Sequence, residues 1–468
     1  MSITHYNDFG NSKNEEFSTT ISKVYDEIRK NWHESIIAWI REKDDEILIE
    51  RDKDRYRNKG FRQTTIKTKH GPVSFKRRMY YDNNNKKTVY LLDEKLFSNA
   101  VGLVDEELCN IIANMITSMT YRKVSEVLEI TLGIHISHQQ IWNIVQELGR
   151  RERANIEELA ELNSKNQLTG EVETKILYEE ADGDWLKLQG NDRKQYGPSK
   201  EMKIAIAYDG ATYQRCKGGK VRRALDNKVA YSSFETVNEF RRHKEAVIAS
   251  KYNNDEIELI VKNGDGAQWI QKDKNSNCIC VLDEFHRNKK ITECVSDKNI
   301  AETLNSLLFS GQYQLLLEVI EAYINSIEDD VQVEKLKELY SYYSENFDAL
   351  PGYYDRSIKI PETRKPGVIH HARLGSMESN VFTLIGNRMK GGRACWSIEG
   401  GNNLAALLCI YHTSKRQIKK TDTEFCKAET PPLSASKIKP TSGKGYEGIK
   451  NYNIPPTMPW LKRMAATN

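Results

Sequence analysis

Between Glu171 and Val295 the hydrophobic pattern leaves the helical period for short strand-like runs, and this stretch limits the fold more than any other. The runs are Lys175 to Ala181, Trp185 to Gln189, Met202 to Tyr208, Lys228 to Phe234, Ile257 to Val261 and Cys278 to Leu282. Helical patterns lie at Val237 to Lys251, at Ala267 to Asp273 and from Asp283 onward. Strands in antiparallel order followed by strand, helix, strand and helix predict an α/β domain on a mixed sheet.

The flanking segments read differently. From Phe17 to Glu50, Ile21, Tyr25, Ile28, Trp32, Ile36 and Ile40 recur at spacings of three and four, predicting one long amphipathic helix that packs on its own domain or pairs with a second copy. Thr64 to Tyr81 alternates about Gly71-Pro72 and reads as a small β-hairpin with a basic strip that includes Lys76, Arg77 and Arg78. Thr120 to Leu148 has a helix-turn-helix outline. Val124, Val127 and Leu128 face inward from its first helix, Gly133 ends that helix, and Ser137 caps a second with Ile141, Val145 and Leu148 inward. His138, Gln139, Gln140 and Asn143 would face out, where Gln and Asn can bond adenine. Arg150 to Gln167 reads as a charged helical linker.

Ile300 to Asn346 predicts an all-helical insertion with Leu304, Leu307, Leu308, Leu315, Leu316, Val319 and Ile320 as core, and Met377 to Met389 predicts a helix stopped by Gly391-Gly392. The expected division is 1–60, amphipathic helix; 61–100, basic hairpin; 101–167, helix-turn-helix and linker; 168–296, first part of the core; 297–350, insertion; 351–425, last part of the core; and 426–468, a basic proline-containing tail.

Net charge is only +4, but it is unevenly placed. Arg51 to Tyr90 holds 13 Lys and Arg against 3 Asp and Glu, Asp297 to Asp348 holds 3 against 11, and His412 to Asn468 holds 11 against 4. Such blocks suit a chain that meets a polyanion along part of its surface, although charge alone favours the plainer reading of solvated faces. The longest apolar stretch, Ala405 to Tyr411, is far short of the roughly 20 residues of a membrane span, which excludes a membrane protein. The N-terminus has no signal-peptide pattern, so a cytoplasmic location is expected. Eight cysteines without a Cys-x-x-Cys pair argue against a zinc ribbon and read as reduced thiols.

Three carboxylates stand out by context. Asp182 ends an apolar strand in EADGDW, Asp265 follows a strand between two glycines in NGDGA, and Glu378 lies in the first turn of a helix beside the apolar Val381, Phe382 and Ile385. That spacing predicts a carboxylate on the core-facing stripe, which is costly without a partner such as a divalent cation. Two strand ends and a helix contributing hard oxygen ligands are what a two-metal phosphoryl-transfer site needs. Singly, each has a commoner reading: Asp-Gly makes turns, and a first-turn Glu complements the helix dipole. Asp184 and Glu399 are alternative ligands; the parity of the preceding strand favours Asp182, and a Gly-rich break before Glu399 favours Glu378. In DEFH, Asp283 and His286 share a helical face and form a further candidate.

The segments TIKTKHGPVSFKRRMYY, YRKVSEVLEI, IWNIVQELG, EADGDWLKLQ, NGDGAQWI, DEFH and MESNVFTLIGNRMKGGRACW resemble the bacterial ISLre-type insertion-sequence transposases, which are akin to Mutator-like transposases. The resemblance spans most of the chain. It implies an RNase H-like core interrupted by a helical insertion, with Asp182, Asp265 and Glu378, 83 and 113 residues apart, as a DDE triad holding a pair of Mg²⁺ ions, for which Mn²⁺ substitutes. His286 would support the site, and Arg388 and Arg393 would meet DNA phosphates. The implied activity is cleavage of element ends and joining to target DNA, with DNA and a second copy of the chain as partners. The rivals are an RNase H-like nuclease without strand transfer and an inactive helix-turn-helix regulator.

Overall fold

The computed structural model describes residues 17–215, 221–271, 277–356, 360–361 and 374–413. The N-terminal stripe forms α1 (Phe17–Glu50). Its C-terminal half buries Ile40 and Ile47 against an antiparallel meander of β1 (Tyr56–Thr68), β2 (Gly71–Asp82) and β3 (Lys87–Val89), followed by α2 (Leu91–Leu96). Ile21, Tyr25 and Ile28, on the other half, remain exposed. The ladder is longer than the alternation predicts: it runs from Tyr56 opposite Asp82 to Thr68 opposite Gly71, and its turn is Lys69-His70 rather than Gly71-Pro72. The early part of β1 escapes the pattern because residues 57–63 are all exposed and carry a register shift between Asn58 and Phe61, so they show no period of two.

Three helices follow, α3 (Glu106–Ile116), α4 (Tyr121–Leu132) and α5 (His138–Ser164). Thr120 caps α4, Gly133 ends it in the left-handed conformation at φ 63°, and Ser137 caps α5 by accepting the Gln140 N–H. The expected linker is not separate: α5 continues for 27 residues through Gly149. A Cβ at Gly149 would lie 2.3 Å from the Asn403 carbonyl oxygen, so this glycine marks a close crossing between helices rather than a break.

The sheet domain is built from β4 (Ile176–Lys187), α6 (Gly190–Tyr196), β5 (Ser199–Tyr208), a small hairpin of β6 (Gly210–Arg215) and β7 (Val221–Asp226), β8 (Val229–Ser233), α7 (Val237–Ala249), β9 (Leu259–Gly264), α8 (Gln268–Gln271), β10 (Cys278–Leu282) and α9 (Glu284–Cys294). Its five strands lie in the order β10-β9-β4-β5-β8. β10, β9 and β4 are parallel, whereas β5 runs antiparallel to both of its neighbours. The two runs expected around Asp182-Gly183 are one continuous strand, in which Asp182 pairs with Ile204. Gly183 makes no turn; a Cβ there would collide with the Glu201 side chain that crosses it. The last two residues of the expected helix Ala267 to Asp273 lie outside the described residues.

α10 (Lys298–Phe309), α11 (Tyr313–Ser326) and α12 (Asp330–Glu345) form the insertion around a core of their own that includes Leu304, Leu308, Leu316, Ile320, Leu336 and Leu339. Leu315 is exposed, contrary to expectation, because Leu316, Leu317 and Ile320 form the inward stripe of α11. The chain returns through α13 (Met377–Val381), a π-helical turn (Phe382–Gly386) and α14 (Asn387–Met389), then closes the core with α15 (Ile398–Thr413). Leu384, Leu404 and Leu408 join Tyr178, Ile204, Ile206 and Val261 in the principal core. The expected basic tail, 426–468, lies outside the described residues. Among the described residues, no helix is long and apolar enough to cross a membrane.

Candidate functional site

β9 accompanies β4 only from Ile176 to Glu180 and ends at Gly264. Beyond that point β4 has no strand beside it on that flank until Trp396 bonds Lys187 and Gln189, and a cleft of about 230 Å³ lies at the carboxyl ends of the parallel strands, where open α/β sheets bind ligands. Asp182, Asp283, His286 and Glu378 line it. Asp265, just past the end of β9, is close enough for its charge to act on both Asp182 and His286.

Burial works against ionisation of Asp182, and the nearby Asp265 and Asp283 add to the effect. Its carboxyl therefore sits above the usual range although His286, Nε2 to Oδ2 3.9 Å, draws it down. The hydrogen bond to Asp283 (Nδ1 to Oδ1, 3.1 Å) holds the imidazole of His286 above its ordinary value, with the surrounding carboxylates assisting. Burial also opposes the charge on Asp283, but hydrogen bonds from His286 and Asn263 outweigh it and keep that carboxyl low. Asp283 additionally caps α9 by accepting the N–H groups of Phe285 and His286.

Behind the cleft is a carboxylate that sequence reasoning missed. Glu180, fully buried on β4, accepts from the Tyr208 hydroxyl at 2.7 Å, the Asn263 amide at 3.1 Å and the Gly375 and Ser376 N–H groups at 2.9 Å each. Asn263 also donates to Asp283 at 3.0 Å, so one amide joins the support of Glu378's helix to that of His286. The available signal was an acid two residues before Asp182, hence on the same face of the strand, although its neighbour Glu179 makes it one of a pair.

Glu378 departs from expectation. It is exposed at the cleft rim, while Met377, Asn380 and Leu384 face inward. Phe382, one turn on and on the same face, is 64% exposed with it, so the apolar neighbours that the spacing relies on do not form an inward stripe through Glu378. Asp184 lies on the same face of β4 as Asp182, so strand parity does not separate them; Asp184 is instead buried and ion-paired with Lys390. Glu399 does have a helix context, being exposed in the first turn of α15, and does not line the cleft.

The oxygen donors of Asp182, Asp265 and Glu378 suit a hard divalent cation, which would also offset the burial that, with smaller contributions from Asp265 and Asp283, opposes the charge on Asp182. Among the described residues, no three carboxylate, histidine or cysteine side chains are gathered closely enough to hold an ion as they stand.

The candidate DNA contacts divide. Lys76 and Arg393 are exposed, and so are Gln139 and Asn143, which bond each other at 3.2 Å on the first turns of α5. Gln140 does not face out freely: it bonds the Gly102 carbonyl and accepts from Lys67. Arg77 is buried, pairs with Asp93 and lies 3.9 Å from the Tyr90 ring. Arg78 pairs with Asp44 at 3.1 Å and Asp45 at 2.6 Å, tying β2 to α1. Arg388 is buried, donates to the Ile116 carbonyl at 2.8 Å and lies over the rings of Tyr121 and Trp396. These three arginines are structural. Exposed on the hairpin instead are Arg57, Lys59 and Arg62 on β1 with Lys76 on β2.

This fold and site define a mixed α/β protein with an acidic cleft. Residues 13–426 match the model of an uncharacterised protein family, UPF0236, and the chain belongs to that family. It is 26% identical over 352 residues to the UPF0236 protein of the vanSb 3′ region of Streptococcus gallolyticus, covering 72% of this chain and 70% of the relative. A relative from Caldanaerobacter subterraneus subsp. tengcongensis, whose name joins eleven loci of that genome, is 23% identical over 399 residues, 83% of this chain and 76% of its own. Another from the same strain is 24% identical over 413 residues, 85% and 80% of the two chains.

Proposed function

We propose that this protein is a DDE-type DNA transposase with an RNase H-like core, cleaving element ends and joining them to target DNA with Mg²⁺. The observation that carries the reading is a cleft lined by Asp182 with Glu378 at its rim, beside which Asp265, just past the end of the neighbouring parallel strand, is near enough for its charge to act on Asp182. The order and directions of the five strands agree with an RNase H-like sheet, in which an antiparallel meander is extended by two parallel strands. The many loci joined in one relative's name fit copies spread by mobile DNA.

When bound, a pair of Mg²⁺ ions supplies activation of the attacking oxygen and charge relief on the leaving one. Asp182, Asp265 and Glu378 are the residues that would hold them. His286, oriented by Asp283, brings to the cleft wall an imidazole whose charged form its carboxylate neighbours favour, where it can orient a phosphate oxygen. Glu180 fixes the start of α13 and hence the approach of Glu378. The exposed Arg57, Lys59, Arg62 and Lys76 of the hairpin, together with Gln139, Asn143 and Arg393, offer contacts to DNA.

A labelled element-end duplex incubated with Mg²⁺ tests the reading. Nicking at the element boundary, abolished in Asp265→Ala and Glu378→Gln while DNA binding persists, is expected. Nicked DNA that is never joined to a target points to the nuclease alternative, and binding without cutting points to the regulator.

A further inference from the structure

The cleft does not end at its carboxylates. Phe285 and Tyr354 line it on the side of α9 and are 51% and 55% exposed. Glu284 and Tyr354 also form the shared wall of a second, more open hollow of about 970 Å³ that reaches the insertion, where Phe309 at the end of α10 is 93% exposed. Three accessible aromatic rings therefore border one groove that starts beside Asp182 and His286. Isolated exposed apolar residues need no explanation, but rings from three separate segments along one groove do.

The other groups in the outer hollow discriminate between ligands. Glu284 and Glu302 carry negative charge, and Arg287 donates to the Leu350 carbonyl. With two acids against one guanidinium this surface offers little to a phosphate backbone, whereas the flat rings and the Asn305 amide suit the faces and edges of bases.

We propose that this groove binds unpaired bases of the nucleic-acid strand next to the phosphate being cut, with Phe285, Tyr354 and Phe309 as stacking surfaces. The assignment rests on the phosphoryl-transfer reading of the cleft. Its occupant is a locally single-stranded segment, not the paired duplex, because stacked base pairs present no free faces to a ring. The helical insertion is thereby a substrate-binding element, and Phe309 is its contact.

Equilibrium binding in EDTA tests this without depending on catalysis. Anisotropy is measured for the full chain with a labelled blunt element-end duplex and with the same duplex bearing a short single-stranded thymine extension. The extended DNA binds more tightly, and Phe309→Ala or Tyr354→Ala removes roughly 5-fold or more of that preference while leaving blunt-end affinity unchanged. Phe309→Trp keeps the preference and Phe309→Leu does not, which separates stacking from bulk. Phe309 is almost fully exposed, so unchanged melting temperatures show that the variants fold. Equal affinity for both DNAs, or variants that alter self-association in sedimentation and not DNA binding, overturns the proposal. If Mg²⁺-dependent cutting fails while the ring-dependent preference persists, the phosphoryl-transfer reading falls and the base-binding groove stands.

Discussion

The Glu180 carboxylate accepts the Ser376 N–H at 2.9 Å, joining the centre of the sheet to the start of α13 across 196 residues of sequence. Tyr208, Asn263 and Gly375 also donate to it, and it is fully buried. Glu180→Gln turns an amide N–H₂ toward these donors, and Glu180→Ala leaves them unpaired. We expect Glu180→Ala to lower unfolding free energy by about 3 kcal/mol in urea titrations. Glu180→Gln should retain the fold and lose at least about 10-fold in cutting rate through misplacement of Glu378. A cutting rate equal to wild type in folded Glu180→Gln would remove the positioning role.

The crossing of α5 and α15 depends on Gly149. A methyl group there meets the Asn403 backbone on an opposing helix rather than a flexible side-chain end. Gly149→Ala should destabilise by about 2 kcal/mol despite alanine's better helix propensity, read as a lower denaturation midpoint.

The basic side chains divide into those that face solvent and those that hold the fold. Substituting alanine for Arg57, Lys59, Arg62 or Lys76 should weaken DNA binding without changing the melting temperature. The slope of log K against log salt should flatten by about 1 for each phosphate that is no longer neutralised. Arg78→Ala should do the reverse, costing about 3 kcal/mol of stability because it strands the buried Asp44. Matched salt titrations and melts distinguish the two sets.

His243 stands between Glu235, 2.9 Å from Nδ1, and Glu157, 2.8 Å from Nε2. Burial disfavours its charge, but the hydrogen bonds to both carboxylates outweigh that and raise its pKa above 6.5. A histidine pKa higher in the folded than in the unfolded state gives stability that is complete below about pH 6.5 and fades as pH rises through the folded value. The melting-temperature gap between wild type and His243→Gln should therefore be widest near pH 6 and narrow toward pH 9. A gap that widens with pH would contradict the assignment.

Much of the architecture is legible in the sequence because burial writes itself into periodicity. The long N-terminal helix, the caps at Thr120 and Ser137, the stop at Gly133 and the run Cys278 to Leu282 lie where spacing and capping chemistry put them. Asp182 and His286 are legible as residues of one cleft because each follows a strand-like run. The features that spacing misplaces are decided by partners distant in sequence. Asp182-Gly183 reads as a turn until Glu201 is seen to fill the space of a side chain. Arg77, Arg78 and Arg388 read as free cations until Asp93, Asp44 and the Ile116 carbonyl claim them. By spacing, the apolar Val381, Phe382 and Ile385 put Glu378 on the inner stripe until Phe382 is found facing out with it, the inward stripe being Met377, Asn380 and Leu384. Glu180 escapes notice because an acid inside an apolar strand gives no local sign of the backbone donors that arrive from residues 375 and 376.

The most direct test of the account is strand transfer from a pre-cleaved element end carrying a free 3′-hydroxyl into a supercoiled target, with Mg²⁺ and the full chain. The account predicts joined products with wild-type protein and their absence in Asp182→Asn, Asp265→Asn and Glu378→Gln, each of which still binds the end. Joining that survives these substitutions, or wild-type protein that binds the end and never joins it with Mg²⁺ or Mn²⁺, would contradict it.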